Sequence, residues 1–382
     1  MGCATLGIHH FVHAAHRPPE AEIFFLLLDQ TVKNAQAGQG SNFSIPHFPY
    51  LRTNRFWNEF IKISHAQDPL GLEAMRQLDL KARMNEIRNL SDEDIESLTA
   101  QLAKPPLSLS ISTKEELILK LQTYSKIFLE EEKRQSGFYD AFETAFKKTP
   151  REYSTLRRLI GFYPLFSIPV ILGTRQAHEK FLKWQTSSVD KLPLSGTLRN
   201  FSSSQENPPS QKISQIFSVH RQEPQGILKL TNEEIQKIIA AFAPDYVQDT
   251  VGDYDRFGEV IWQNNKVTID GTKPTVYYYL SYALMKNKPV VQLNYVIWYS
   301  ARDGANSPWL ERGPLDGITV RITLDEAGSA IMMDTMNNCG CYHFFVPRRD
   351  KIKKASRILS LQNLLFQPGS RKIIPRKNYR SE

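Results

Sequence analysis

The spacing of apolar residues changes period once along this chain, and that change limits the folds open to it. In VVQLNYVIWYS, Val291, Leu293, Tyr295, Ile297 and Tyr299 fall on one side, and Gln292, Asn294, Val296, Trp298 and Ser300 on the other. That is the two-residue period of a strand. ITVRITL repeats it, with Ile318, Val320, Ile322 and Leu324 inward and Thr319, Arg321 and Thr323 outward. Upstream of about residue 185 the period is helical instead. Leu72, Met75 and Leu78 recur at threes, and Leu80 and Met84 at four, in GLEAMRQLDLKARMNEIRNL, and AEIFFLLLDQTVKNA has the helical period as well. A chain whose helices and strands are segregated in this way is α+β, with a helical N-terminal half and an antiparallel, β-rich C-terminal half.

Punctuation divides the chain further. Ser91 precedes a first turn rich in acids, which suits a helix N-terminus. Thr113 with Glu116, and Thr231 with Glu234, are capping boxes that open two more helices. AGQGSNFSIPHFPYL reads as a loop, and Asp316-Gly317 as turn chemistry between strands. In REYSTLRRLIGFYPLFSIPVILG, Pro164 and Pro169 break any continuous helix, so it reads as a helix leading into a buried extended segment. Residues 195–226 are rich in Ser, Gln, Asn and Pro and read as a linker or long surface loop. The organisation expected is an N-terminal segment over 1–19, a mainly helical region over 20–194, that linker, a β-rich domain over 227–347 and a basic tail over 348–382.

Charge narrows the function classes. The net charge of +8 suggests a basic protein, but residues 348–382 alone hold eleven basic residues against two acids, leaving 37 basic and 38 acidic residues elsewhere. A near-neutral body with a basic tail is not the footprint of a specific nucleic-acid-binding domain, where positive charge lines a folded face. Such a tail suits solvent or an anionic membrane surface. No run of 18 or more apolar residues occurs, and IFFLLL at 23–28 is the apolar face of a helix.

The opening MGCATLGIHHFVHAAH comes close to two targeting signals. Leu6 stands where a myristoylation motif needs Ser or Thr. Gly2-Cys3-Ala4 looks like the end of a bacterial lipoprotein signal, with Cys3 as the lipidated residue, although the basic and apolar part of such a signal is missing. His9, His10, His13 and His16 have helical spacing, but the Pro18-Pro19 break follows them, and they read as a terminal segment rather than a metal helix.

The chemistry-bearing stretch is DTMNNCGCYHFFVP, residues 334–347, which holds two of the three cysteines and one of the nine histidines within five positions. If 339–343 is extended, Cys339, Cys341 and His343 project to one face. Two thiolates and an imidazole suit zinc or copper, and Asp334 is available as a fourth ligand. A Cys339–Cys341 disulfide, a Cys-His nucleophile and thiols packed on Tyr342, Phe344 and Phe345 are the competing readings. Arg321 is an accessory group in the site readings and a strand-face residue otherwise.

The run Asp316, Gly317, Arg321, Thr323, Leu324, Cys339, Gly340, Cys341, Tyr342 and His343 resembles a motif of a bacterial protein family that includes many lipoproteins and has no established activity. IPHFPYLRTNRF, RLIGFYPLFSIPV and YDRFGEVIW resemble it as well, so the likeness covers most of residues 20–347. Two departures are present: Asn337 stands where the family often has His, and the chain ends in its basic tail where the family continues with folded sequence. The resemblance implies an envelope protein, membrane-anchored through lipid on Cys3 and facing the periplasm, with a structural or disulfide-bonded Cys339–His343 segment. The alternative is a metal- or thiol-dependent enzyme using Cys339, Cys341 and His343.

Overall fold

Three helices start where local hydrogen-bond chemistry directs them to. Ser91, Thr113 and Thr231 each accept from the backbone N–H three residues on, and Asp94, Glu116 and Glu234 reach back to the cap. The computed structural model describes residues 19–40, 42–64, 69–149, 179, 187, 191–203, 210–220, 226–263, 266–303, 312–340, 342–348 and 350. The 151–173 stretch, the N-terminal segment with Cys3 and the four histidines, Cys341 and the tail beyond Asp350 lie outside the described residues. The chain divides into two compact units, Met1–Leu156 and Arg157–Glu382. Helices dominate the first and an antiparallel sheet the second, so the fold class is α+β.

The first unit comprises α1 (Pro19–Asn34), β1 (Phe43–Ile45), β2 (Phe48–Thr53), α2 (Arg55–Ser64), α3 (Pro69–Asn89), α4 (Asp92–Leu102), α5 (Lys114–Lys133) and α6 (Phe138–Lys148). The β1–β2 hairpin corrects the loop expected over 37–51. It forms because β2 lies against α1, α3 and α5, which bury Phe48, Tyr50 and Leu51. Phe24, Phe25, Phe128 and Phe142 complete an aromatic core, with the Phe25 and Phe128 rings stacked at 5.6 Å.

Within this core runs a charge network that no short sequence pattern announces. Arg52 of β2 donates to both oxygens of Glu86 at 2.7 and 2.8 Å, and its Nε lies 3.0 Å from Asp79. Arg83 donates to Asp79, to Asp29 at 2.6 Å and to the Pro49 carbonyl at 2.8 Å. Asp79, Arg83 and Glu86 are spaced by four and three on α3, so they share one face. All four of Arg52, Asp79, Arg83 and Glu86 are buried.

Acid should loosen the Glu86 end of this network. Burial alone would raise the Glu86 carboxyl, but hydrogen bonds from Arg52 and the Gln39 amide, with the charge of Arg52, hold it below its ordinary 4.5. A carboxyl depressed in the folded state contributes stability above its unfolded pKa and loses it as pH falls through the folded value. Chemical unfolding midpoints should therefore drop below about pH 4.5, and more weakly in Glu86→Gln. Equal slopes in the two proteins would show that Glu86 is not coupled to folding.

Among the described residues the second unit holds β3 (Thr197–Phe201) and α7 (Ser210–His220), both within the segment read as linker. There follow α8 (Asn232–Ala241), β4 (Tyr246–Thr250), the hairpin β5 (Glu259–Gln263) and β6 (Lys266–Asp270), then β7 (Tyr277–Met285), β8 (Lys288–Tyr299), β9 (Asp316–Leu324), β10 (Ala330–Asn337) and β11 (Phe344–Pro347). β3 pairs with β4, while β7 to β11 form one antiparallel sheet in chain order, the meander expected from the alternation. Val291, Leu293, Tyr295, Val320 and Leu324 pack on Ile213 and Phe217 of α7 and on Ile238 and Ile239 of α8. The buried Tyr295 hydroxyl is satisfied by the Ile239 carbonyl at 2.7 Å.

Turn chemistry sets the register. Lys286 and Asn287, both with positive φ, make the two-residue β7–β8 turn. Between β9 and β10, Asp325 accepts from the N–H groups of Ala327 and Ser329. Gly328 there has φ +74°, and a Cβ on it would lie 2.7 Å from the Phe217 ring. Asp316-Gly317, expected as a turn, instead opens β9 opposite Tyr299 and Trp298. Gly317 is small because the Asn338 side chain and the Ile297 carbonyl occupy the space a Cβ would need.

Candidate functional site

The outward sides of β8, β9 and β10 depart from the exposed face that alternation implies. Gln292, Asn294, Thr319, Thr323 and Asp334 are all buried, Asp334 completely. Both faces of the sheet are therefore withdrawn from solvent here, one apolar and one polar. Buried polar groups require partners, and these have them. Gln292 donates to Thr323, Asn294 to the Ser281 hydroxyl at 2.9 Å, and Thr319 to Asn338 at 2.7 Å.

Register places the ionic centre of this face. Asn294, Arg321, Asp334 and Phe345 stand opposite one another across β8, β9, β10 and β11. Arg321 Nε donates to Asp334 Oδ2 at 3.1 Å, and its Nη2 lies 2.8 Å from Oδ1. His343 Nε2 is also 2.8 Å from Oδ1. The carboxylate can only accept, so His343 Nε2 is the donor in this contact, and Arg321 Nη2 lies 3.4 Å from the same nitrogen. The imidazole is held from its other side by the Phe345 ring, 4.0 Å away between centroids.

Three of the residues predicted from sequence thus meet: Arg321, Asp334 and His343. Of the two cysteines, only Cys339 is among the described residues, and it does not join them. Residues 338–340 form a turn that closes β10 onto β11, with Gly340 N–H donating to the Asn337 carbonyl at 2.7 Å. Gly340 has φ +85° and Tyr342 φ +51°, which corrects the extended 339–343 segment and its single-faced side chains. Cys339 is an exposed free thiol on that turn, and Cys341 lies outside the described residues. Among the described residues no three His, Cys, Asp or Glu side chains are grouped as a metal ion requires.

Sequence reasoning missed two contributors. Arg302 pairs with Asp316 at 2.7 Å, and its guanidinium carbon lies 6.0 Å from the Tyr342 ring centroid, linking the start of β9 to the turn. Asn338 ties that turn to the Gly317 and Ile297 carbonyls. A signal was present: the outward positions carry Gln, Asn and Thr where a solvated strand face carries Lys and Glu.

Chemically, the arrangement is a clamp. One buried carboxylate joins an arginine of β9 to a histidine at the entry to β11. A histidine oriented by a carboxylate is also how metal ligands and thiol bases are positioned. Among the described residues no helix is long and apolar enough to cross a membrane. Compared with known proteins, the chain matches no family model, no curated protein and no solved structure.

Proposed function

We propose that this is a non-enzymatic protein of the bacterial cell envelope, anchored through lipid on Cys3 and facing the periplasm, in which the Cys339–His343 loop is structural. The observation that carries the structural reading is the occupancy of Asp334. Its two oxygens already accept from Arg321 and His343, so the acid proposed as a fourth metal ligand is committed elsewhere. The resemblance of the Asp316–His343 motif to a lipoprotein-rich family supports the address, and the basic tail suits an anionic lipid surface. In a bacterial host the full chain should fractionate with membranes and carry an acyl mass on its N-terminal peptide, and Cys3→Ser should move it to the soluble fraction. An unmodified Cys3 peptide would sink the anchoring half of the proposal.

The Asp334–His343 contact favours one second reading, a metal- or thiol-dependent site built on His343 with Cys339 and Cys341. Protein purified anaerobically without a tag decides between the two. The structural reading expects only trace metal and an unchanged fold in Cys341→Ser. Near-stoichiometric zinc or copper that disappears in Cys341→Ser would replace it with the second.

A further inference from the structure

The two edges of the five-stranded sheet are built differently. β11 is four residues long, ends in Pro347 and is followed by Arg348, features that discourage another strand from pairing there. β7 is nine residues long, YYYLSYALM, with no charge, proline or glycine. It pairs with β8 residue for residue from Tyr277↔Val296 to Met285↔Lys288, without a bulge. Among the described residues no strand lies on its far side. Tyr278 and Tyr279 are 41% and 54% exposed, and a long uncharged edge of this kind is a template for strand addition.

We propose that β7 is a homodimer interface, pairing antiparallel with β7 of a second copy about a two-fold axis at Ser281. The sequence of the strand argues for a second copy as the occupant. Centring on Ser281, the middle residue, sets Tyr279 of one copy opposite Ala283 of the other, on the face that carries Asn294. On the opposite face it sets Leu280 against Tyr282 and Tyr278 against Leu284. A large side chain therefore meets a smaller one at each of these positions, and no like charges oppose one another. The pairing runs from residue 278 to 284, about 24 Å of strand. Tyr277 stays outside it, where the β5 backbone reaches its hydroxyl through the Val260 N–H at 2.8 Å, while the Tyr278 and Tyr282 hydroxyls are held from within the same chain by Gln236 and the Leu228 carbonyl. The contact is isologous and closes, so it produces a ten-stranded sheet across two copies and not a fibre.

Sedimentation equilibrium of the full chain tests the proposal, with Tyr279→Lys as the variant. Tyr279 is exposed enough for lysine to leave the monomer folded, which an unchanged thermal midpoint would verify, and edge lysines are a natural guard against strand pairing. The unaltered chain should approach twice its monomer mass with rising concentration, and Tyr279→Lys should halve that value. In Ser281→Cys, mild oxidation should produce a disulfide-linked peptide joining position 281 of two copies, readable by mass spectrometry beside the native cysteines. A monomer up to the solubility limit, a polydisperse series of larger species, or a dimer that resists Tyr279→Lys and gives no linkage at position 281 would each overturn it.

Discussion

Arg83→Met is expected to lower the unfolding free energy by about 3–5 kcal/mol, because it leaves a fully buried carboxylate short of a counter-ion. Asp79 is 0% exposed and takes hydrogen bonds from Arg83, while Asp29, the other acid on Arg83, is half in solvent. Losing Arg83 therefore leaves Asp79 only its contact with Arg52 Nε at 3.0 Å, and costs it far more than Asp29. Methionine retains the apolar stem that lies against Phe25, where the guanidinium carbon is 5.0 Å from the ring centroid, so most of the loss is electrostatic. The double variant Arg83→Met/Asp79→Leu should recover much of the loss, since an apolar pair needs no partner and Arg52 keeps Glu86. Denaturant unfolding of the unaltered chain, Arg83→Met, Asp79→Leu and the double variant forms a cycle whose coupling energy measures the pair. Equal losses in the single and double variants would mean that packing, not charge, is what Arg83 supplies.

The second large effect is expected at Asp334. Asp334→Asn keeps the shape but turns an NH2 group toward donors that need acceptors, at Arg321 or His343. Those partners keep some solvent, with side chains 21% and 26% exposed, so water relieves part of the cost. A loss of about 2–3 kcal/mol follows from charge-assisted hydrogen bonds of this kind. It should be local, because His343 sits where the chain enters β11. Amide hydrogen exchange over Phe344–Val346 should accelerate about 30- to 150-fold, the same free energy read as a rate, while the centre of β8 changes little. Unchanged exchange in β11 would show that the clamp does not hold the hairpin.

What was legible in the sequence was what depends on neighbours. Capping boxes at Thr113 and Thr231 are set within four residues, and their helices begin there. The alternation in 291–299 and 318–324 identified two adjacent strands and the face that meets the helices. What was not legible depends on distant partners. The β1–β2 hairpin holds Pro46 and is three residues long on one side, so it exists through Arg52 reaching Glu86, 34 positions away. Asp79 and Arg83 have the spacing of a surface ion pair, and only the fold buries them. Of the candidate site, Arg321, Asp334 and His343 were named from sequence, but their mutual contact was not. The extended geometry assumed for 339–343 failed because Gly340 and Tyr342 take left-handed backbone, which a two-residue alternation cannot express.

The order of the large sheet has a kinetic meaning. Each strand from β8 to β11 pairs with the one made immediately before it, so spatial order follows the order of synthesis. Connections of two residues at Lys286-Asn287, and of five and six residues after β9 and β10, keep most contacts short-range along the chain. Only the 300–315 connection between β8 and β9 must close a longer loop, and loop-closure cost grows slowly with length. Low contact order of this kind goes with fast folding and brief exposure of unpaired strands. A sheet that zips from β7 onward can bury its hydrophobic face as it emerges, and the Asp334 clamp ties together the last three of its strands to be made.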